Sequence, residues 1–181
     1  MKIFFIYFFI LSFYSVQINK NKEIDFGVFK MTVPNNWKYI KGKGIDSFVG
    51  RFIIAKKNTV TFDYGIYSNN LEEVLDFEIT SDSIFSIKSE NNNFIKREFY
   101  AKRDSVIIEN LYKSETSFVF IGNLNAKIVK PKKSGIGLIG VYFENTTSKK
   151  NGVKFQISGY NLSPKNQKSF LKVIKTLKFK H

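Results

Sequence analysis

The stretch Phe26–Trp37, FGVFKMTVPNNW, constrains this chain more than any other. Phe29, Met31 and Val33 alternate with Lys30 and Thr32, the period of a strand with one buried face. Pro34 has no N–H to give a ladder, so the strand ends there. Asn35 and Asn36 suit a turn, and the chain's single tryptophan, Trp37, follows at once. Its indole carries a large apolar area and one N–H that wants a partner. Two roles are open to Trp37: a stacking platform for a ligand, or a core anchor that closes one end of a sheet.

A chain of 181 residues, 43% of them hydrophobic, is expected to bury one sizeable core rather than stay disordered. With 20 phenylalanines that core is ring-rich. Cysteine is absent, which removes disulfides, thiolate nucleophiles, zinc–thiolate sites and lipid attachment to cysteine. The one histidine is the terminal His181, so Ser-His-Asp and Cys-His catalysis and histidine metal ligation are excluded. No cofactor and no metal site is expected.

The net charge of +14 is unevenly placed: residues 1–62 carry +7, residues 63–112 carry −5, and residues 113–181 carry +12. A basic C-terminal third can draw an anionic partner. The lysines are scattered without a block of five or six, as a lysine-, asparagine- and isoleucine-rich coding bias also produces, so no specific nucleic-acid signal is present.

Residues 1–17 read as a secretory signal peptide: Lys2 is the positive end and Ile3–Leu11 an unbroken apolar run too short for a confident membrane span. An uncleaved anchor is the alternative. The expectation is an exported protein, periplasmic or extracellular, not a lipoprotein, with no transmembrane span in the mature chain and one domain over 18–181.

Beyond Trp37, Lys38–Gly44 reads as a basic loop, and Val49–Ala55 with Thr59–Tyr64 as a hairpin. Leu71–Phe77 reads as a short helix capped by Asn70, with Leu71, Val74 and Leu75 on its apolar face. Ser81–Asn93 reads as a polar loop with a short helical turn. Phe94–Lys102 and Ser105–Leu111 read as a second hairpin. Strands are expected at Ser117–Ile121, Ala126–Val129, Leu138–Glu144 and Val153–Ser158. The clearest helix follows: Ser163 caps it, Pro164 takes its first position, and Phe170, Leu171, Ile174 and Leu177 form one face. The expected class is α+β, an antiparallel sheet of about six or seven strands with packed helices.

Val33-Pro34-Asn35-Asn36-Trp37 and the ending GYNLSPKNQKSFLKVIKTLKF (159–179) resemble the PsbP-like family of photosystem extrinsic proteins and bacterial periplasmic relatives. GIDSFVG (44–50), FDYGIYS (62–68) and KPKKSGIGLIGVYF (130–143) are similar to stretches of small uncharacterised exported bacterial proteins. The resemblance implies a PsbP-like fold and an exported address, and carries no catalytic or metal-binding residues onto this chain.

Three constellations are candidate sites. Gly135-Ile136-Gly137-Leu138-Ile139-Gly140 matches G-x-G-x-x-G, but a strand rather than a helix follows and no acidic residue ends a second strand, so a Gly-rich bulge or hairpin is expected in place of a nucleotide site. Lys133, Ser134, Gly135 and Gly137 could form an anion nest or a solvated basic turn. Asp46 and Asp63, near Tyr67, could pair as acid and base or around a hard cation, or simply cap turns.

The leading expectation is an exported, non-enzymatic binding or accessory protein of the bacterial envelope, whose partner is an envelope protein or an anionic ligand. The candidate ligand-binding residues are Trp37, Asp46, Asp63, Tyr67, Lys133, Ser134, Gly135 and Gly137. The alternatives are a weak cation-dependent hydrolase using Asp46 and Asp63, and a polyanion-binding protein working through the basic C-terminal third.

Overall fold

The structure, a computed structural model, describes residues 20–56, 58–90, 94–147 and 152–180. The expected signal peptide over 1–17 lies outside the described residues. In chain order the elements are β1 (Asn21–Asp25), β2 (Phe29–Pro34), β3 (Lys38–Lys41), β4 (Phe48–Ala55), β5 (Asn58–Gly65), β6 (Phe77–Ile79), β7 (Ser83–Glu90), β8 (Phe94–Lys102), β9 (Ser114–Ile121), β10 (Leu124–Pro131), β11 (Leu138–Phe143), β12 (Lys154–Tyr160), α1 (Pro164–Ile174) and β13 (Lys178–Phe179).

Phe29, Met31 and Val33 of β2 are fully buried, as their alternation requires. The strand stops at Pro34, and the Trp37 N–H closes the turn on the Pro34 carbonyl at 3.0 Å. Trp37 then packs against Phe52 of β4 and Phe170 of α1, ring centroids 5.8 and 6.5 Å away. β13 returns along β2, so the opening strand and the C-terminal ending lie side by side, tied by the Thr32 N–H donating to Thr176 Oγ1 at 2.8 Å. β1, β2 and β13 form one three-stranded sheet.

The main sheet has seven strands in the order β3-β4-β5-β12-β11-β10-β9, every pair antiparallel. One face carries Phe52, Phe62, Val141, Phe143, Phe155 and Ile157, which share a core with β2, Trp37 and α1. Rings cluster there at centroid distances of about 5–6 Å, where edge-to-face pairs add stability beyond area burial. Ser163 Oγ accepts the Asn166 N–H and Pro164 opens α1, while Phe170, Val173 and Ile174 turn into the core.

This architecture corrects the α+β expectation of a sheet with packed helices. Of the described residues 53% are strand and 12% helical, with one α-helix and three antiparallel sheets. The missing helix is the one expected at Leu71–Phe77. There Asn69 Oδ1 accepts the Leu71 N–H at 2.7 Å and Asn70 Oδ1 accepts the Glu72 N–H at 3.1 Å. These local bonds hold a non-helical turn, and Leu71 sits at φ +57°. The third sheet, β6-β7-β8, uses Ser83–Glu90, the stretch that reads as a polar loop. The segment expected as the return strand of a second hairpin forms two 3-10 turns instead, at Arg103–Ser105 and Ile108–Leu111. Lys38–Lys41, expected as loop, pairs with β4.

Candidate functional site

The second face of the main sheet, away from α1, is where side chains with chemistry collect. Pairing β5 with β12 sets Asp63 opposite Gln156, and pairing β11 with β12 sets Tyr142 opposite Gln156 on the other side. β10 adds Lys127 and Val129, which alternate with the core residues Ala126 and Ile128.

Residues 66–76 run across this face as a strap. Leu71 is its anchor, buried with Val129, Tyr142 and Leu138 in a small cluster of its own. Gly140 makes room: a Cβ there would lie 2.7 Å from Leu71 Cδ1. Lys127 Nζ donates to the Asn70 carbonyl at 3.0 Å. Glu73 holds the far end, accepting the Lys113 N–H at 2.7 Å, the Ser114 N–H at 2.8 Å and the Ser114 hydroxyl. Lys113 also pairs with Asp76, whose carboxylate raises the lysine's pKa above the usual range, first by hydrogen bond and then by charge.

Clefts open on both sides of the strap. One, of about 590 Å³, is lined by Asn69, Glu72, Val74, Leu138, Gln156 and Tyr160, among others. Another, of about 610 Å³, lies between Glu72, Glu109, Tyr112, Thr116 and Lys132. A third, of about 460 Å³, holds Phe118, Lys127, Tyr142 and Glu144. Their walls are mixed apolar and polar, as small-molecule and peptide sites are. In the third cleft, burial raises the Tyr142 pKa well above the ordinary phenol range, and the hydrogen bond to Glu144 raises it further. The same bond, with help from Lys154, lowers the Glu144 pKa. The phenol therefore stays a donor and the carboxylate an acceptor throughout the neutral range.

Beneath the strap, Asp63 Oδ1 and Gln156 Oε1 are buried without a hydrogen-bond donor. The two residues are directly paired across β5 and β12, and a buried acceptor left unmet costs about 1–3 kcal/mol, so each calls for a donor. A water with two hydrogens, or an N–H group, fits that demand.

The eight residues singled out in the sequence do not converge. Trp37 is 2% exposed and lies in the core, so of its two open roles it fills that of anchor. Asp46 is exposed in a cleft of about 630 Å³ with Val28, Phe48 and Tyr64, at the core-face end of β5. Asp63 lies on the opposite face of β5 from Tyr64, and none of the clefts is lined by both carboxylates. Tyr67 stands 81% exposed at the strap's start.

Three donors of the Lys133–Gly137 loop are engaged within the protein. The Ile136 N–H goes to the Lys133 carbonyl and the Gly137 N–H to Asn161 Oδ1 at 2.8 Å. Ser134 Oγ donates to Gln167 Oε1. Gly135 and Gly137 adopt φ +89° and +103°, so the glycine motif is a left-handed turn leading into β11. Only Gly137 of this loop reaches the strap cleft.

Sequence reasoning missed Glu72, Glu73, Gln156 and the Tyr142–Glu144 pair. The available signal was Asn69-Asn70, two side chains that compete with helix by bonding their own backbone. Gln156 carries no local signal at all, because its place opposite Asp63 is set by strand register. Comparison with known proteins adds no name to this geometry: no family model, no curated protein and no solved structure matches the chain.

Proposed function

We propose that this chain is an exported, non-enzymatic binding or accessory module that seats its partner against the strap. The observation that carries this reading is the strap itself, pinned by Leu71 and Glu73 over a polar sheet face with clefts on either side. Further support comes from the apolar leader in the sequence and from the absence of cysteine and of any histidine before residue 181. Glu72 is exposed on the strap and lines both flanking clefts, which suits a partner presenting N–H groups or positive charge. An envelope protein segment fits better here than an anion. No helix among the described residues is long and apolar enough to cross a membrane.

The test is a photo-crosslinking residue at Val74, which is 88% exposed on the cleft rim, with the same residue at the fully exposed Ile45, which lines none of the three strap clefts, as control. In the native envelope the Val74 position is expected to capture one discrete partner that Ile45 does not. No adduct, or the same adducts from both positions, removes the reading. A fusion of residues 1–25 to a reporter active only outside the cytoplasm tests export.

A second reading has one observation of its own. A groove of about 730 Å³ between α1 and β2 is lined by Lys165, Lys168 and Lys172 and by no carboxylate. This is the place where the basic C-terminal third would hold a polyanion. Binding of an anionic polymer would then weaken steeply with salt through counterion release. Replacing the three lysines by Gln would flatten the slope, and an affinity independent of salt would end this reading.

A further inference from the structure

Among the described residues the main sheet ends at two edge strands, β3 and β9, and the chain treats them differently. β3 is four residues long with Lys38 and Lys41 at its ends, a short and charged edge of the kind that resists strand addition. The edges of the smaller sheets are guarded as well: β8 carries Lys96, Arg97 and Lys102, β1 carries Lys22, Glu23 and Asp25, and β6 and β13 are only three and two residues long. β9 is guarded least, with Glu115 as its one charged residue. It runs for eight residues, SETSFVFI, with no Lys, Arg or Pro, and pairs with β10 through an unbroken register. Phe118, Val119 and Phe120 are 67%, 38% and 78% exposed.

The backbone groups that β9 offers follow from its turn. Gly122 and Asn123 form a two-residue connection closed by the Ile121–Leu124 pair, which is hydrogen-bonded in such hairpins. Alternate residues therefore direct N–H and C=O away from β10: Ser114, whose N–H is taken by Glu73, and then Thr116, Phe118 and Phe120.

We propose that β9 is the interface of a two-fold dimer in which a second copy adds its own β9, antiparallel, to make one continuous sheet. A register centred on Phe118 pairs residues 115–121, sets Phe118 against its symmetry mate, and sets Thr116 against Phe120. Outward-pointing backbone groups then meet each other, as the antiparallel ladder requires. Charge selects this edge for self-pairing. Two copies, each of net charge +14, repel wherever lysines face lysines. β9 is the long edge on which none do, and its one ion, Glu115, falls at the end of the register.

The area sets the strength. The exposed parts of four phenylalanine rings give roughly 600 Å² toward the roughly 1,000 Å² that a specific interface needs, and the paired backbone strip supplies the remainder. The dimer is accordingly reversible and concentration-dependent.

The experiment is sedimentation equilibrium of the purified protein over a wide concentration range, alongside Phe118→Lys and Phe118→Cys. Wild type is expected to show a monomer–dimer equilibrium, and Phe118→Lys to weaken it at least ten-fold with unchanged circular dichroism and Trp37 fluorescence. Because the chain has no cysteine, Phe118→Cys is expected to give a single disulfide-linked dimer under mild oxidation, while Ile95→Cys on the β8 edge does not. A monomer at every concentration overturns the proposal. So does a dimer that Phe118→Lys leaves intact, or equal crosslinking from Ile95→Cys.

Discussion

Trp37 shows how much one residue can settle and how little of it is visible locally. Its sequence setting permits either a ligand platform or an anchor, and only the approach of Phe52 from β4 and Phe170 from α1 decides for the anchor. Trp37→Ala is expected to lower unfolding free energy by about 3–5 kcal/mol, as deletion of a buried aromatic side chain does. Urea denaturation checks this, followed by circular dichroism because the mutation removes the only tryptophan. A loss under 1 kcal/mol would place Trp37 at the periphery. Asp25 gives a residue-scale test with pH. Its carboxyl pKa lies below the ordinary range, first through the hydrogen bond from Lys180 at 2.6 Å and then through the Gly27 N–H. A carboxylate depressed on folding adds stability above its unfolded pKa, and that stability is lost as pH falls through the folded value. Lys180→Met is expected to move the Asp25 titration upward toward the ordinary range in a carbon-detected NMR titration. An unmoved midpoint would mean that the ion pair does not hold in solution.

At the scale of elements, legibility tracks how local the determining contacts are. β2 and α1 could be read because alternation, a stop proline and a capped first turn are all written in neighbouring residues. The strap could not, since Leu71, Val74 and Leu75 have helical spacing. What overrides that spacing is a pair of asparagine–backbone bonds and a sheet face that receives Leu71 alone. β7 was hidden because Ile84 and Phe85 stand side by side among polar residues, so SIFSIKSE lacks the period of two that a strand shows in sequence. The candidate site suffered most, because Asp63, Gln156 and Tyr142 become neighbours only through the order β5-β12-β11. The strap's dependence on that face yields its own prediction. A Cβ at Gly140 would meet Leu71 Cδ1, Ser158 Cβ at 2.8 Å and the immobile Ile157 carbonyl oxygen at 2.9 Å. Gly140→Ala is therefore expected to cost about 1–3 kcal/mol by overpacking. Limited proteolysis should show faster cleavage within 66–76, and unchanged cleavage would mean that the strap does not rest on β11.

Over the whole molecule, the charge partition of the sequence follows the architecture. Residues 63–112, which carry −5, supply the strap and the β6-β7-β8 arm, whereas the remaining segments, both basic, build the other two sheets and α1. The arm is held differently from the body. The large cluster of buried side chains contains no residue of β6, β7 or β8, and in the arm Ile84 is the fully buried apolar side chain. Its strands are joined instead by surface contacts: Arg97 makes two bonds to Glu78 at 2.8 and 3.1 Å and stacks over the Phe85 ring at 3.4 Å, while Lys88 and Lys96 both reach Glu98. Exposed ion pairs of this kind contribute roughly 0–1 kcal/mol each, far less than buried rings. Regions with few buried apolar contacts open before the global transition. Native-state hydrogen exchange is therefore expected to show amides of β7 and β8 exchanging through a sub-global opening, at a free energy below that of β11 and β12, whose inward side chains are buried. Low concentrations of denaturant should separate the two groups. If β7 and β8 instead exchange with the same free energy and denaturant dependence as β11 and β12, the arm shares the cooperativity of the body. The strap that joins them would then be a rigid coupling between the two.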